Sequence, residues 1–430
     1  MFPIPIPSPK EIWEHIRSFT NWLKETQYAH IAKLQICART NPLLYQYLDW
    51  LYGPRLRLLK YDGTPFPVAL FPAPPEQRHD IESVLDGLDT EIDDAIDNTL
   101  DQAGQSYLKK LKETGHNLWD DPTYRMLRFD LHPHMKLTCA LGGYYNMLKS
   151  CDILEFELLT EFGRQQPSAE GFADFTRTLR LRNHVHGQGD PFSQAAGRSA
   201  AIAISAAIVF AKDRSYKALL RERSKSVTVH SGLLHVVPSF MFQPVARNYR
   251  EEFSVRHNVY REYLEEVLGL SELTQPEDYV RHDYFYDDPN LRYLLDLEKQ
   301  GAASFHLTGV CMNLLNTRPE ICVLILIRDP DWIDNQGRGR KVKNLQLTPL
   351  KTNWEFKHSD ELPGTELKGM AFLDLTHELV IPPELFKPEH FVPPGAAALK
   401  LAVDVAREEL AHPSAPPTRS SKRRRRGHRT

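Results

Sequence analysis

Between Ala200 and Ala211 the chain runs through small and branched apolar residues with one serine among them. Crossing a bilayer takes about 20 consecutive apolar residues, so this shorter run reads as a strand buried inside the protein. It also divides the sequence. Upstream, apolar residues recur mostly at helical spacing; downstream, short segments of β character follow one another. A length of 430 residues exceeds one ordinary core, so two domains are expected. The first is a mostly helical N-terminal domain over 1–190, the second a mixed α/β domain over 198–412. The fold class expected for the whole is α+β.

In the first half, Ile12, Trp13, Ile16, Phe19, Trp22 and Leu23 mark a helix within Ile12 to Leu34. Arg55 to Phe71 is extended, with Asp62-Gly63 as a hairpin turn. Pro65, Pro67, Pro72, Pro74 and Pro75 suggest a linker. His79 to Leu111 reads as helix, with Glu91, Asp93, Asp94, Asp97 and Asp101 as its solvated face. Met135 to Phe162 reads as a central helix, and Asn183 to Gly197 as a loop. His132, His134, His184 and His186 form two His-x-His pairs without a third ligand, so no metal is expected there.

In the second half, strands are expected at Ala200 to Ala211, Lys217 to Arg223, Gly232 to Pro238, Phe305 to Leu315 and Ile321 to Ile327. A helix from Glu251 to Leu268 ends at Gly269, and a last helix spans Ala396 to Leu410. The five cysteines are scattered without zinc-site spacing, and a disulfide scaffold is not expected. Prolines occupy the N-terminus where a signal peptide needs a charged start and an apolar run, so a cytoplasmic protein without a membrane segment is expected. From Pro413 onward there are seven basic and no acidic residues, against a net charge of −3 for the chain. The body is therefore acidic, and residues 413–430 form a basic, low-complexity tail expected to be disordered. That tail is a candidate for non-specific nucleic-acid contact or a solubilising extension.

The helix over Glu251 to Leu268 carries the chemistry. Glu262, Glu265 and Glu266 fall on one side at i, i+3 and i+4, with Arg261 beside them. Like charges at this spacing repel by a few tenths of a kcal/mol per pair, and a divalent cation removes that cost. Mg²⁺ takes oxygen ligands, and carboxylates plus ligand phosphates are its usual site. The plain alternative is a surface helix whose glutamates face water. Tyr249, Arg250, Arg256, Tyr260 and Arg247 are candidates to stack on and clamp a nucleotide, or simply to pack.

The order of strands, the His235-Val236-Val237-Pro238 loop entry and the Arg261-Glu262-Tyr263-Leu264-Glu265-Glu266 helix resemble the Nudix hydrolase superfamily over roughly Ser199 to Leu410. The resemblance implies an α/β/α sandwich with a mixed sheet. It also implies Mg²⁺ (or Mn²⁺) held by Glu262, Glu265 and Glu266, with Arg261 in the catalytic helix. His235, Arg221, Arg223 and Phe240 are the implied ligand-binding residues, and a nucleoside-diphosphate derivative cleaved at its pyrophosphate linkage is the implied substrate. Glu355 and Glu361 are candidates for the proton-accepting base. The sequence departs from the family pattern in four places, one of them a spacing from the His235–Pro238 loop to Arg261 that is longer by several residues. Ser239 and Phe240 replace a double glycine. Phe253 stands where an upstream glutamate belongs, with Glu252 one place off. Gly269 comes one residue late, after Val267 and Leu268. These departures raise a second expectation, a Nudix-like domain that senses a nucleotide without cleaving it. A third is an interaction protein whose glutamates are surface.

Overall fold

A computed structural model describes residues 6–114, 118–222, 233–245, 248–270, 283–350, 371–376 and 378–411. Three helices open the chain: α1 (Pro9–Glu25), α2 (Tyr28–Arg39) and α3 (Pro42–Tyr52). A hairpin follows, β1 (Leu58–Tyr61) and β2 (Thr64–Pro72), and its turn residues Asp62 and Gly63 both have positive φ, as a tight hairpin turn demands. Next come β3 (Leu85–Asp89), α4 (Asn98–Glu113), β4 (Pro122–Asp130) and β5 (Lys136–Gly143). Then α5 (Tyr144–Met147) continues through a π turn at Leu148–Asp152 into α6 (Ile153–Gln165), followed by α7 (Phe172–Thr178) and α8 (Arg180–Gly187).

The second half begins with β6 (Ala200–Ala201) and β7 (Ala203–Lys212), then β8 (Ser215–Glu222), β9 (Leu234–Val236) and β10 (Ser239–Met241). After them come α9 (Val255–Glu262), a π turn at Tyr263–Val267, α10 (Pro289–Lys299), β11 (Ala303–Asn313) and β12 (Pro319–Ile327). The chain closes with α11 (Trp332–Gly337), a short hairpin β13 (Lys341–Val342) and β14 (Leu345–Gln346), β15 (Ala371–Asp374) and α12 (Pro393–Ala411). The fold is α+β, with a largely helical N-terminal region and a mixed sheet. No helix among the described residues is long and apolar enough to cross a membrane.

The large sheet runs β1-β2-β11-β12-β7-β8-β15, with β10 on β7 and β9 on β8. Its centre is the parallel pair β12–β7, flanked by antiparallel pairs. Side chains alternate across it with period two. Ile204, Ala206, Ile208, Ile321, Val323 and Ile325 face a core shared with Val255, Val259, Tyr260 and Tyr263. Ala207, Val209, Cys322, Leu324 and Leu326 face the other way, against α12 residues Ala398, Leu401, Ala402 and Val405. The apolar run at 200–211 is thus a central strand covered on both faces, which is why it carries no alternating polar residues.

Local pattern misled in four places. Pro65, Pro67 and Pro72 lie inside β2, not in a linker, and β2 pairs with β11 from the second half. Only Asn98–Glu113 of the acidic region is helical; Asp97 caps it, accepting from the Thr99 and Leu100 amides. Asp94 sits in the preceding loop, where it forms an ion pair with Arg125, whose Nε lies 2.9 Å away, and accepts the Gly143 amide at 2.8 Å. These carboxylates have distant partners that a local charge run cannot reveal. Within Met135 to Phe162, β5 precedes the helix, and α8 enters the segment read as a loop. A smaller sheet, β3-β5-β4-β6, joins the two halves through the Arg125–Ala201 and Met126–Ala200 pairs.

Candidate functional site at the glutamate helix

The helix begins at a cap assembled from both halves of the chain. Ser254 accepts the His257 amide, while Glu82 receives the Val255 amide at 3.0 Å, the Arg256 amide at 2.8 Å and Ser254 Oγ at 2.9 Å. A carboxylate there satisfies amides that lack helical partners and meets the positive end of the helix dipole. Glu252, one place from its expected position, is buried and ties down the preceding loop by accepting the Val245 and Asn248 amides at 2.6 and 3.0 Å.

Past Glu262 the helix widens into the π turn, and Gly269 then takes a φ of 63°. An i to i+5 turn accommodates one residue more than an α-helical turn. That matches the single extra residue before the closing glycine. Arg261, Glu262, Glu265 and Glu266 are all buried, at 4, 7, 5 and 3% exposure. The helix is enclosed on every side, because Val259, Tyr260, Tyr263 and Leu264 are buried as well.

The carboxylates divide into two groups. Arg261 Nη2 lies 2.9 Å from Glu262 Oε1 and Arg261 Nη1 3.5 Å from Glu265 Oε2, while Asn258 Oδ1 accepts from Nη2 at 3.1 Å. Burial opposes the Arg261 charge, yet Glu262 and Glu265 outweigh it and hold the guanidinium's pKa above its usual value. Tyr284 adjoins this group, its phenol pushed up by burial and by Glu265. Glu266 turns elsewhere and accepts the Ser239 amide at 2.7 Å. Arg221, fully buried, donates to the Val267 carbonyl at 3.3 Å. Burial brings its pKa down to about 9 against the pull of Glu266, so it stays cationic at neutral pH.

Of the residues expected to bind ligand, Arg221 and His235 are register partners across β8 and β9. His235 Nε2 lies 3.1 Å from Ser239 Oγ. Ser239 is therefore a junction. Its amide holds Glu266, and its hydroxyl lies 3.1 Å from Ser205 Oγ, which donates to Glu320. Phe240 packs instead in the apolar core, paired with Ile204, because its strand leaves no tight turn for it to line. Arg223, Arg247, Glu355 and Glu361 lie outside the described residues. Arg256 and Tyr260 are engaged within the protein: Arg256 Nη1 reaches Tyr260 Oη at 2.9 Å and Glu298 at 2.8 Å. Of the two His-x-His pairs, His184 bonds Asp97 and His186 bonds Tyr52.

Ser205, Glu320 and Tyr284 were not singled out from sequence, and Ser239 only as the replacement for a glycine. Glu320, a lone carboxylate at the head of an apolar strand, was the one visible signal. The oxygens of Glu262, Glu265 and Glu266 are not gathered into one group of three within 4.8 Å; among the described residues that condition is met by His79, His306 and Glu409. Compared with known proteins, the chain matches no family model and no curated protein.

Proposed function

We propose that the chain is a Nudix-like hydrolase that binds a nucleoside-diphosphate derivative with Mg²⁺ or Mn²⁺ and cleaves its pyrophosphate linkage. The observation that carries this reading is the inward placement of Glu262, Glu265 and Glu266, each under 10% exposed. Taking a carboxylate out of water costs several kcal/mol per ion before compensation, and a merely solubilising face has no reason to bear that cost. The π turn supports the same reading. It absorbs the residue by which this helix exceeds the Nudix-type pattern, and π bulges concentrate at functional sites.

The donor set suits a hard cation, since all three side chains offer carboxylate oxygen. Glu262, Glu265 and Glu266 would hold the ion once Glu266 leaves the Ser239 amide and joins the other two; the ion, when bound, would supply Lewis-acid polarisation and a lowered pKa for bound water. Arg261 orients Glu262 and Glu265 through its two contacts. Ser239 and Arg221 orient Glu266 from the strands. A glutamate freed from these contacts would accept the proton of the attacking water.

A specific observation favours a second reading, binding without cleavage. Arg261 already contacts two of the three carboxylates and offsets one of their two negative charges, part of what a dication would do. Calorimetry and product analysis on nucleoside-diphosphate derivatives with Mg²⁺ separate the two. The hydrolase reading expects phosphate-bearing products and a loss of about 100-fold or more in Glu265→Gln. Binding heat without product supports sensing. A flat Mn²⁺ titration with neither heat nor product removes both.

A further inference from the structure

A second constellation lies away from the glutamate helix, where three elements meet. His306 is on β11, His79 follows the short turn Pro75–Gln77, and Glu409 lies in the last turn of α12. One ligand atom from each lies within 4.8 Å of the other two. Glu409 Oε1 is 3.7 Å from His79 Nε2 and 3.8 Å from His306 Nδ1. Zn²⁺ bonds of about 2.0–2.2 Å in tetrahedral geometry put ligand atoms roughly 3.3–3.5 Å apart. Closing the set takes a few tenths of an ångström on the two Glu409 distances and up to roughly 1.5 Å between the imidazoles, a movement open to the His79 side chain, which is 61% exposed.

The independent sign of a ligand is His306. It is 2% exposed, and its Nδ1 is buried without a hydrogen-bond partner. Buried polar atoms are ordinarily paired, so an orphan aimed at two other metal-ligating side chains needs an explanation. Its Nε2 is 2.8 Å from Ser304 Oγ, which also receives Arg328 Nη1 at 2.9 Å. With Nε2–H donating to that hydroxyl, the Nδ1 lone pair faces Glu409. This is the arrangement by which a second partner fixes a metal-ligating imidazole. Burial foremost, with His79, Arg328 and Arg78 adding to it, holds the His306 pKa at about 3, so the ring is neutral.

The nearby cations are each engaged. Arg78 pairs with Glu408 and donates to the Ala73 carbonyl, and Arg328 donates to Ser304. The C-terminal end of α12 adds negative partial charge on the same side.

We infer that His79, His306 and Glu409 form a binding site for a divalent transition-metal ion of the Zn²⁺ type. Two imidazoles and one carboxylate select such an ion over Mg²⁺ or Ca²⁺, which prefer oxygen throughout. Three protein ligands leave a position open to water. The ion would clamp the loop after β2, the start of β11 and the end of α12 together.

The test uses the full chain stripped with a chelator, then titrated with Zn²⁺ against a chromophoric competitor and with Co²⁺ as an absorbing probe. Wild type is expected to bind one equivalent, with the visible bands of four-coordinate Co²⁺. His79→Ala and Glu409→Gln, with unchanged circular dichroism, are each expected to weaken binding about tenfold or more. No saturable Zn²⁺ binding, or wild-type affinity in both variants, overturns the site. Neither substitution touches the glutamate helix, so failure here is distinct from failure of the hydrolase reading.

Discussion

Arg261 sits between Glu262 and Glu265 in an interior that excludes water, so its charge and theirs stand or fall together. Their spacing was legible in the sequence, because i, i+3 and i+4 positions share a helix side. The division of labour was not, because Glu266 finds its partner on Ser239, a residue distant in sequence. Single residues also set the pH response. His186 bonds Tyr52, and burial foremost, with Arg182, Arg198 and Arg55 adding to it, lowers its pKa to about 3. The unfolded chain takes up that proton near pH 6.5, the folded one only near pH 3. Stability from this residue is therefore complete above pH 6.5 and is lost as pH falls toward 3. Urea denaturation from pH 7 to 4 should show a slope shallower by up to about 1.4 kcal/mol per pH unit in His186→Gln. An unchanged slope would remove His186 as the cause.

At the scale of elements, the glutamate helix was foreseen, as was its end at Gly269. Its true start at Val255 was not, since the cap depends on Glu82 from the other half of the chain. Three hydrogen bonds converge on that carboxylate, and bonds to charged groups contribute about 1.5–3 kcal/mol each at most. Glu82→Gln keeps the shape while removing the charge. It should lower unfolding free energy by about 1–3 kcal/mol, read from chemical denaturation. A loss within error would show that Ser254 suffices as the cap. The π turn was equally invisible, although the late glycine was its trace: an inserted residue can be absorbed by widening a turn or by shifting the helix end, and only packing chooses.

The large sheet takes β1 and β2 from one half of the chain and β7 to β12 with β15 from the other, and one apolar core runs from Ile12 to Leu350. A fragment over 198–412 would expose the β11 edge that β2 covers between Val68 and Pro72. Expressed alone, it should lack a cooperative thermal transition, while the full chain shows coincident unfolding by circular dichroism and tryptophan fluorescence. A cooperatively folded fragment would show that the hairpin is dispensable. By itself the sequence determined the central buried strand, the Asp62-Gly63 hairpin, the glutamate helix and the closing glycine. Each of these is written in residues a few positions apart, where periodicity and backbone sterics act. Only the tertiary structure decided that the glutamates face inward, that Glu82 caps their helix, and that His79, His306 and Glu409 meet. Such pairings join residues up to hundreds of positions apart, and burial, which makes each of them matter, is a property of the assembled fold.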